Sequence, residues 1–147
     1  MKLNKTGYDL IKRFEGCKLT AYQDSVGVWT IGYGSTYYEN MQKVKQGDKV
    51  SQQRANEIFE FVASRFARNV DDIITSKPTQ NQFNAVVSLA YNIGLGNFQK
   101  STLLKKLNKN PNDKTIKDEF MKWVNAGGRK LQGLVNRRKK EAEIYYS

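Results

Sequence analysis

Three residues near the start of the chain, Glu15, Asp24 and Thr30, have the types and spacing for hydrolytic chemistry. Glu15 follows apolar Phe14 and precedes Gly16, at the end of a helical pattern. Asp24 opens a turn, and Thr30 lies in a β-prone run just beyond it. Two carboxylates in unlike surroundings meet the requirement for glycosidic cleavage. One stays protonated and gives its proton to the leaving oxygen, while the other stays ionised and orients water or attacks. The chain has no histidine and a single cysteine, Cys17. That excludes Ser-His and Cys-His nucleophile pairs and nearly all ordinary zinc sites, leaving carboxylates, hydroxyls, amines and tyrosines. No cofactor and no metal is expected. Identity alone does not make a site, since an isolated Glu or Asp is ordinarily a solvated surface charge.

The elements that must position these groups follow from periodicity. Thr6 is placed to cap a helix from about Gly7 to Phe14, carrying Leu10, Ile11 and Phe14 on one side, with Gly16 to stop it. From Lys18 to Asn40 the runs Leu19-Thr-Ala-Tyr22, Val28-Trp-Thr-Ile31 and Tyr37-Tyr38 are β-prone. Asp24-Ser-Val-Gly27 and Gly32-Tyr-Gly34-Ser35 between them have turn chemistry. This predicts a small antiparallel sheet of two or three strands. Ser51 then caps a long helix to about Thr75, ended by Lys77-Pro78. Thr79 starts another that stops at Gly94, Leu95–Phe98 reads as a turn, and Ser101 caps a short helix. Ile116, Phe120, Trp123 and Val124 describe a helix closed by Gly127-Gly128, with Trp123 in the core. A last helix runs from near Leu134 to Tyr146. Strands and helices are segregated, so the class is α+β, with two lobes joined by the long helix and a cleft between them.

Composition bounds the partners. The 147 residues suffice for one domain, and 39% hydrophobic with 12% aromatic residues is a globular balance. A formal charge of +11 predicts attraction to polyanions such as nucleic acid, acidic lipid or an anionic cell wall. The N-terminus has no apolar stretch behind its positive start, so neither a signal peptide nor membrane insertion is expected. Cys17 lacks a base beside it and reads as a small buried hydrophobe.

The motif Glu15-Gly-x-x-Leu-x-Ala-Tyr-x-Asp24-x-x-Gly-x-x-Thr30-Ile-Gly-x-Gly34 resembles the signature of phage-type lysozymes, the endolysin family that includes the T-even phage lysozyme. The resemblance continues through Gln82–Gly94 and Phe98-x-x-Ser101-Thr-Leu-Leu-x-x-Leu107. It ends on Phe120-x-x-Trp123 and Gly133-Leu-x-x-Arg-Arg-x-x-Glu141, so it covers nearly the whole chain in family order. It implies a lysozyme-like fold in one domain, 1–147. The sheet lobe would span about 15–50 and the connecting helix about 51–75. The helical lobe would span about 76–147 and include the N-terminal helix. It further implies an N-acetylmuramidase cutting the β-1,4 bond between N-acetylmuramic acid and N-acetylglucosamine in peptidoglycan. Glu15 would be the general acid, with Asp24 and Thr30 holding the attacking water. Inversion of the anomeric carbon is implied, with the two carboxyl groups about 6.5–9.5 Å apart.

Other positions carry two readings each. Thr36 lies where the family's sheet meets the sugar. Tyr91 and Phe98 are either core aromatics or sugar platforms, and Ser101 is a helix cap or a substrate contact. Arg137-Arg-Lys-Lys140 reads as a solvated helix face, although the resemblance points one arginine, Arg137, toward the acid glutamate. Ser35 stands where many relatives have histidine. The expected partner is the peptidoglycan glycan strand, met by a monomer that waits in the host cytoplasm until another protein makes a pore. The rivals are a basic nucleic-acid binder using Arg129, Arg137, Arg138, Lys139 and Lys140, and a wall-binding module without activity.

Overall fold

The computed structural model describes all residues from Met1 to Ser147. In chain order the elements are α1 (Lys5–Glu15), β1 (Lys18–Gln23), β2 (Trp29–Gly32), α2 (Gln52–Ile73), α3 (Gln80–Ile93), α4 (Leu95–Lys100), α5 (Thr102–Lys109), α6 (Ile116–Phe120), β3 (Asn125–Ala126), β4 (Arg129–Lys130) and α7 (Gln132–Tyr145). Backbone packing separates two compact units. One is Ile11–Arg65, and the other is Met1–Leu10 with Phe66–Ser147.

In the first unit, β1 and β2 pair antiparallel with Tyr22 opposite Thr30 and Gln23 opposite Trp29. A bulge between Lys18 and Tyr22 shifts the register. The main chain there turns to a third partner. Ala21 N–H donates to Asp48 O, Val50 N–H donates to Leu19 O, each at 2.9 Å, and Thr20 bridges Lys49. The sheet therefore has two strands: the third β-prone run, Tyr37-Tyr38, makes only a single bridge from Tyr37 to Lys43, and the edge beside β1 is met instead by 48–50. Ile31, Ala55, Ile58, Phe59 and Ala63 are fully or almost fully buried, so the apolar face of α2 forms the core of this unit. Ser51 caps α2 as expected, its Oγ accepting from Arg54 N–H at 3.0 Å. Gly16, at φ +66°, ends α1 in a conformation that side chains resist.

Thr6 does not cap α1. Asn4 does so, its Oδ1 accepting from Gly7 N–H at 3.3 Å, and the helix starts one residue before Thr6. Gly7 is needed for close packing in the helical unit, where a Cβ would meet Asn84 Oδ1 at 2.6 Å and Leu3 Cδ2 at 2.7 Å.

The helical unit is centred on α3, in which every residue from Gln82 to Ala90 is buried, with α7 packed against it. Thr79 closes a capping box with Gln82. Two sequence expectations fail here. Leu95–Phe98 is part of the helix α4, because Gly94 at φ +91° lets the chain restart a helix at once. Instead of continuing to Val124, α6 ends at Phe120, and 125–130 is a hairpin. Gly127 and Gly128, at φ +59° and +76°, form its two-residue turn, which requires positive φ at both positions. Trp123 is accordingly half-buried rather than core.

Glu119 in α6 is buried, and burial alone would raise its carboxyl. Lys122 at 2.8 Å and Lys106 at 2.9 Å override this and hold it below the ordinary 4.5. A folded pKa below the unfolded one contributes stability above the unfolded value, and that contribution is lost as pH falls through the folded value. The melting temperature of the wild type is therefore expected to drop on acidification below about pH 4.5. In Glu119→Gln the drop should be shallower. Equal slopes in thermal melts of the two proteins would contradict this origin of the acid sensitivity.

Candidate active site

The β1–β2 hairpin relates Tyr22 to all three of the named residues. Tyr22 and Thr30 are directly opposed across the ladder, which puts their side chains on the same face. Burial raises the Tyr22 phenol above its ordinary value, and the negative charges of Glu15 and Asp24 raise it further. Both carboxylates thus lie within electrostatic reach of the phenol of a residue that pairs with Thr30 across the ladder. The Lys18 ammonium sits over the Tyr22 ring, 4.5 Å from its centroid, and adds a cation to the same cluster.

Each position follows from local structure. Glu15 is the last residue of α1, half-buried, with Gly16 turning the chain straight into β1. Asp24 begins the turn between the strands. Its Oδ1 accepts from Val26 N–H and Val28 N–H, both at 2.9 Å, while its own N–H donates to Val28 O at 2.9 Å. This Asx turn fixes the carboxylate by one oxygen and leaves Oδ2 without a hydrogen-bond partner in the protein. Thr30 is 4% exposed, and its hydroxyl donates to Val28 O at 2.9 Å. With its proton so committed, Thr30 Oγ1 can act toward a further group only as an acceptor.

Thr36 belongs to the same unit, half-buried, with its carbonyl accepting from Val44 N–H at 3.0 Å. The remaining named positions are in the helical unit. Tyr91 is half-buried with its ring 5.1 Å from that of Phe66. Phe98 is fully buried, so it is a core aromatic and has no face to offer a sugar. Ser101 is 5% exposed, its Oγ accepting from Leu104 N–H and donating to Phe98 O, so capping uses its hydrogen bonds. Arg137 is 3% exposed, with Nε 3.3 Å from Glu141 Oε2 and Nη2 3.2 Å from Ser88 O.

Arg137 and Arg138 are buried around Glu141, so Arg137–Lys140 is not a solvated face and the proposed phosphate stripe loses two of its five members. Cys17 is partly exposed beside Gln52, at 3.8 Å, and not the buried hydrophobe expected. Ser35 is 1% exposed and its hydroxyl has no partner. Tyr22 is the site residue that sequence reasoning missed. Its signal was available, because it lies two positions before Asp24 on the strand that pairs with Thr30.

A family model described as "Phage lysozyme" matches residues 12–141. The chain is 38% identical over 151 residues to the endolysin of Acyrthosiphon pisum secondary endosymbiont phage 1, covering 100% of this chain and 99% of that one. It spans 54% of the length of the endolysin of Bacillus phage B103, to which it is 37% identical. Among solved structures, the endolysin from Escherichia coli O157:H7 phage FAHEc1 superimposes with a TM-score of 0.87 at 38% identity, over 99% of this chain and 93% of that one. The muramidase domain of SpmX from Asticaccaulis excentricus gives 0.87 at 29% identity, over 99% and 98%. These matches establish the family rather than its T-even branch.

Proposed function

Because the chain belongs to the phage lysozyme family and is a peptidoglycan-hydrolysing glycosidase, we propose that Glu15, Asp24 and Thr30 carry its reaction. Glu15 protonates the glycosidic oxygen between N-acetylmuramic acid and N-acetylglucosamine as the bond breaks. A water held by Asp24 Oδ2 and Thr30 Oγ1 attacks the anomeric carbon from the opposite face and passes a proton to Asp24. The observation that carries this reading is the cluster around Tyr22, which joins both carboxylates to the strand position of Thr30.

The hydrogen-bond polarity supports the water's role. Thr30 donates to Val28 O and Asp24 is an anion, so both offer only acceptors to the water. A water that gives both protons to these acceptors turns its lone pairs outward, toward the sugar. Displacement then happens once and the carbon inverts. The same reading has a single monomeric domain acting on the glycan strand, held in the host cytoplasm until a pore made by another protein admits it to the wall. No nucleic acid is required.

The test is reducing-end release from purified sacculi, with the product anomer followed by NMR. The wild type is expected to give the α-anomer first. Asp24→Asn should lower the rate by about 10²–10³-fold, in the range of a lost general base. An initial β-anomer would overturn the single displacement. Binding of sacculi without release of reducing ends would point to the inactive wall-binding module.

A further inference from the structure

A second feature of the sheet-bearing unit has no part in that chemistry. A pocket of about 480 Å³ lies among Tyr38, Lys43, Lys45, Asp48, Lys49 and Ser51, with Arg54 at its side. Its cations are unequally matched. Arg54 is committed, with Nη1 and Nη2 at 2.6 and 2.7 Å from the two oxygens of Glu39. Asp48 Oδ2 accepts from the Tyr38 hydroxyl at 2.6 Å and from Lys45 N–H at 2.9 Å, and these hydrogen bonds hold its carboxyl below the ordinary range. Lys43, Lys45 and Lys49 are exposed, and none has a carboxylate oxygen within ion-pair distance of its ammonium. The Ser51 hydroxyl accepts from Arg54 N–H and keeps its own proton to donate. Asp48, which feels the charge of Lys45, is the one carboxylate of the lining, so with three ammoniums outside any ion pair and a free donor the pocket keeps a net positive charge suited to an anion.

We propose that this pocket is a subsite for the carboxylates of the peptide stems on the glycan strand, a reading that rests on the function proposed above. Its position fits. Lys49 bridges Thr20 on β1, two residues from Tyr22, which is about 7 Å along the strand. A stem of three to five residues reaches roughly 10–18 Å when extended, longer than that step along β1. Lysine suits such a ligand, because its ammonium pairs with a mobile carboxylate as a point charge and demands no fixed geometry.

The experiment uses soluble, un-cross-linked peptidoglycan strands from a Gram-negative wall, with intact stems. It compares the wild type with Lys43→Gln/Lys45→Gln/Lys49→Gln at low ionic strength. The expected result is a KM raised about fivefold to twentyfold, as for the loss of a few exposed ion pairs, with kcat within about twofold. The control Lys100→Gln/Lys105→Gln/Lys114→Gln removes the same net charge from exposed positions elsewhere and should shift KM less than about twofold. Carbodiimide amidation of the stem carboxylates should raise the wild-type KM to that of the pocket variant, whose own KM stays put. Lys43→Arg/Lys45→Arg/Lys49→Arg, which keeps the three charges, should retain most of the wild-type affinity.

Equal shifts for the pocket and control variants would overturn the proposal in favour of general steering. A wild-type advantage that survives amidation would also overturn it. So would an advantage seen only on Gram-positive walls and abolished when hydrofluoric acid strips their phosphates. A wild type that releases no reducing ends from any wall would instead defeat the parent reading.

Discussion

Glu15→Gln is expected to lower wall lysis by about three orders of magnitude while the thermal melt stays close to that of the wild type. The amide keeps the shape of the side chain but has no acidic proton to give a departing alkoxide. The nearby Tyr22 phenol is a poor substitute, since it is pushed up from its ordinary value and holds its proton more tightly still. Thr30 has committed its proton to Val28 O. The measurement is the rate of reducing-end release from sacculi, alongside circular-dichroism melts of both proteins. A folded Glu15→Gln protein lysing at near the normal rate would remove Glu15 from the mechanism. A loss of activity matched by a loss of folding would be repeated with Glu15→Asp, which keeps the acid but shortens its reach.

The largest expected effect on stability lies in the helical unit. Glu141 is completely buried between Arg137, 3.3 Å away, and Arg138, 3.1 Å away, and accepts from Ser88 Oγ at 2.5 Å. The Arg138 contact is an ion pair whose N–H is not aimed for a hydrogen bond, while its Nη2 donates to Asn92. Burial pushes the Glu141 carboxyl up from its ordinary value, against the pull of the two guanidiniums and the hydroxyl. Glu141→Gln removes the buried charge that both guanidiniums face at this point, at a cost of about 3–5 kcal/mol. For a chain of this size that corresponds to a melting temperature lowered by about 10–15 °C. Replacing the whole group, as Glu141→Leu with Arg137→Met and Arg138→Met, should recover much of the loss, because the buried carboxylate and the guanidiniums facing it are removed together. A Glu141→Gln melt within a few degrees of the wild type would show that water reaches the pair.

The parts of the fold legible in the sequence were those written in local chemistry. Ser51, Thr79 and Ser101 each cap a helix as their spacing indicates, since the hydroxyl and the amide it accepts from lie three residues apart. Asp24 at a turn and Thr30 in a strand were legible for the same reason. Thr6 was misread because Asn4, two residues earlier, makes the same kind of cap. The hairpin at 125–130 was misread because its flanking residues continue a helical period, and the Gly127-Gly128 pair that ends a helix serves equally as a two-residue turn. Arg137 and Arg138 were misread for a different reason. A run of four cations looks solvated until Glu141, three and four residues on, and Ser88 from α3 are seen to enclose two of them. Likewise, the grouping of Tyr22 with Glu15 and Asp24 depends on a ladder register, which a bulge of unknown place leaves open in the sequence.

The Asx turn at Asp24 frees its neighbours to diversify. The carboxylate is anchored by the main-chain amides of Val26 and Val28, groups that every amino acid except proline supplies. The side chains at these two positions take no part in the anchoring, and Val26 is 80% exposed and Val28 43%. A lineage that altered Ser25, Val26 or Val28 to meet a new wall chemistry would keep the aspartate where it is. The rim of the turn can therefore drift while the carboxylate stays in place.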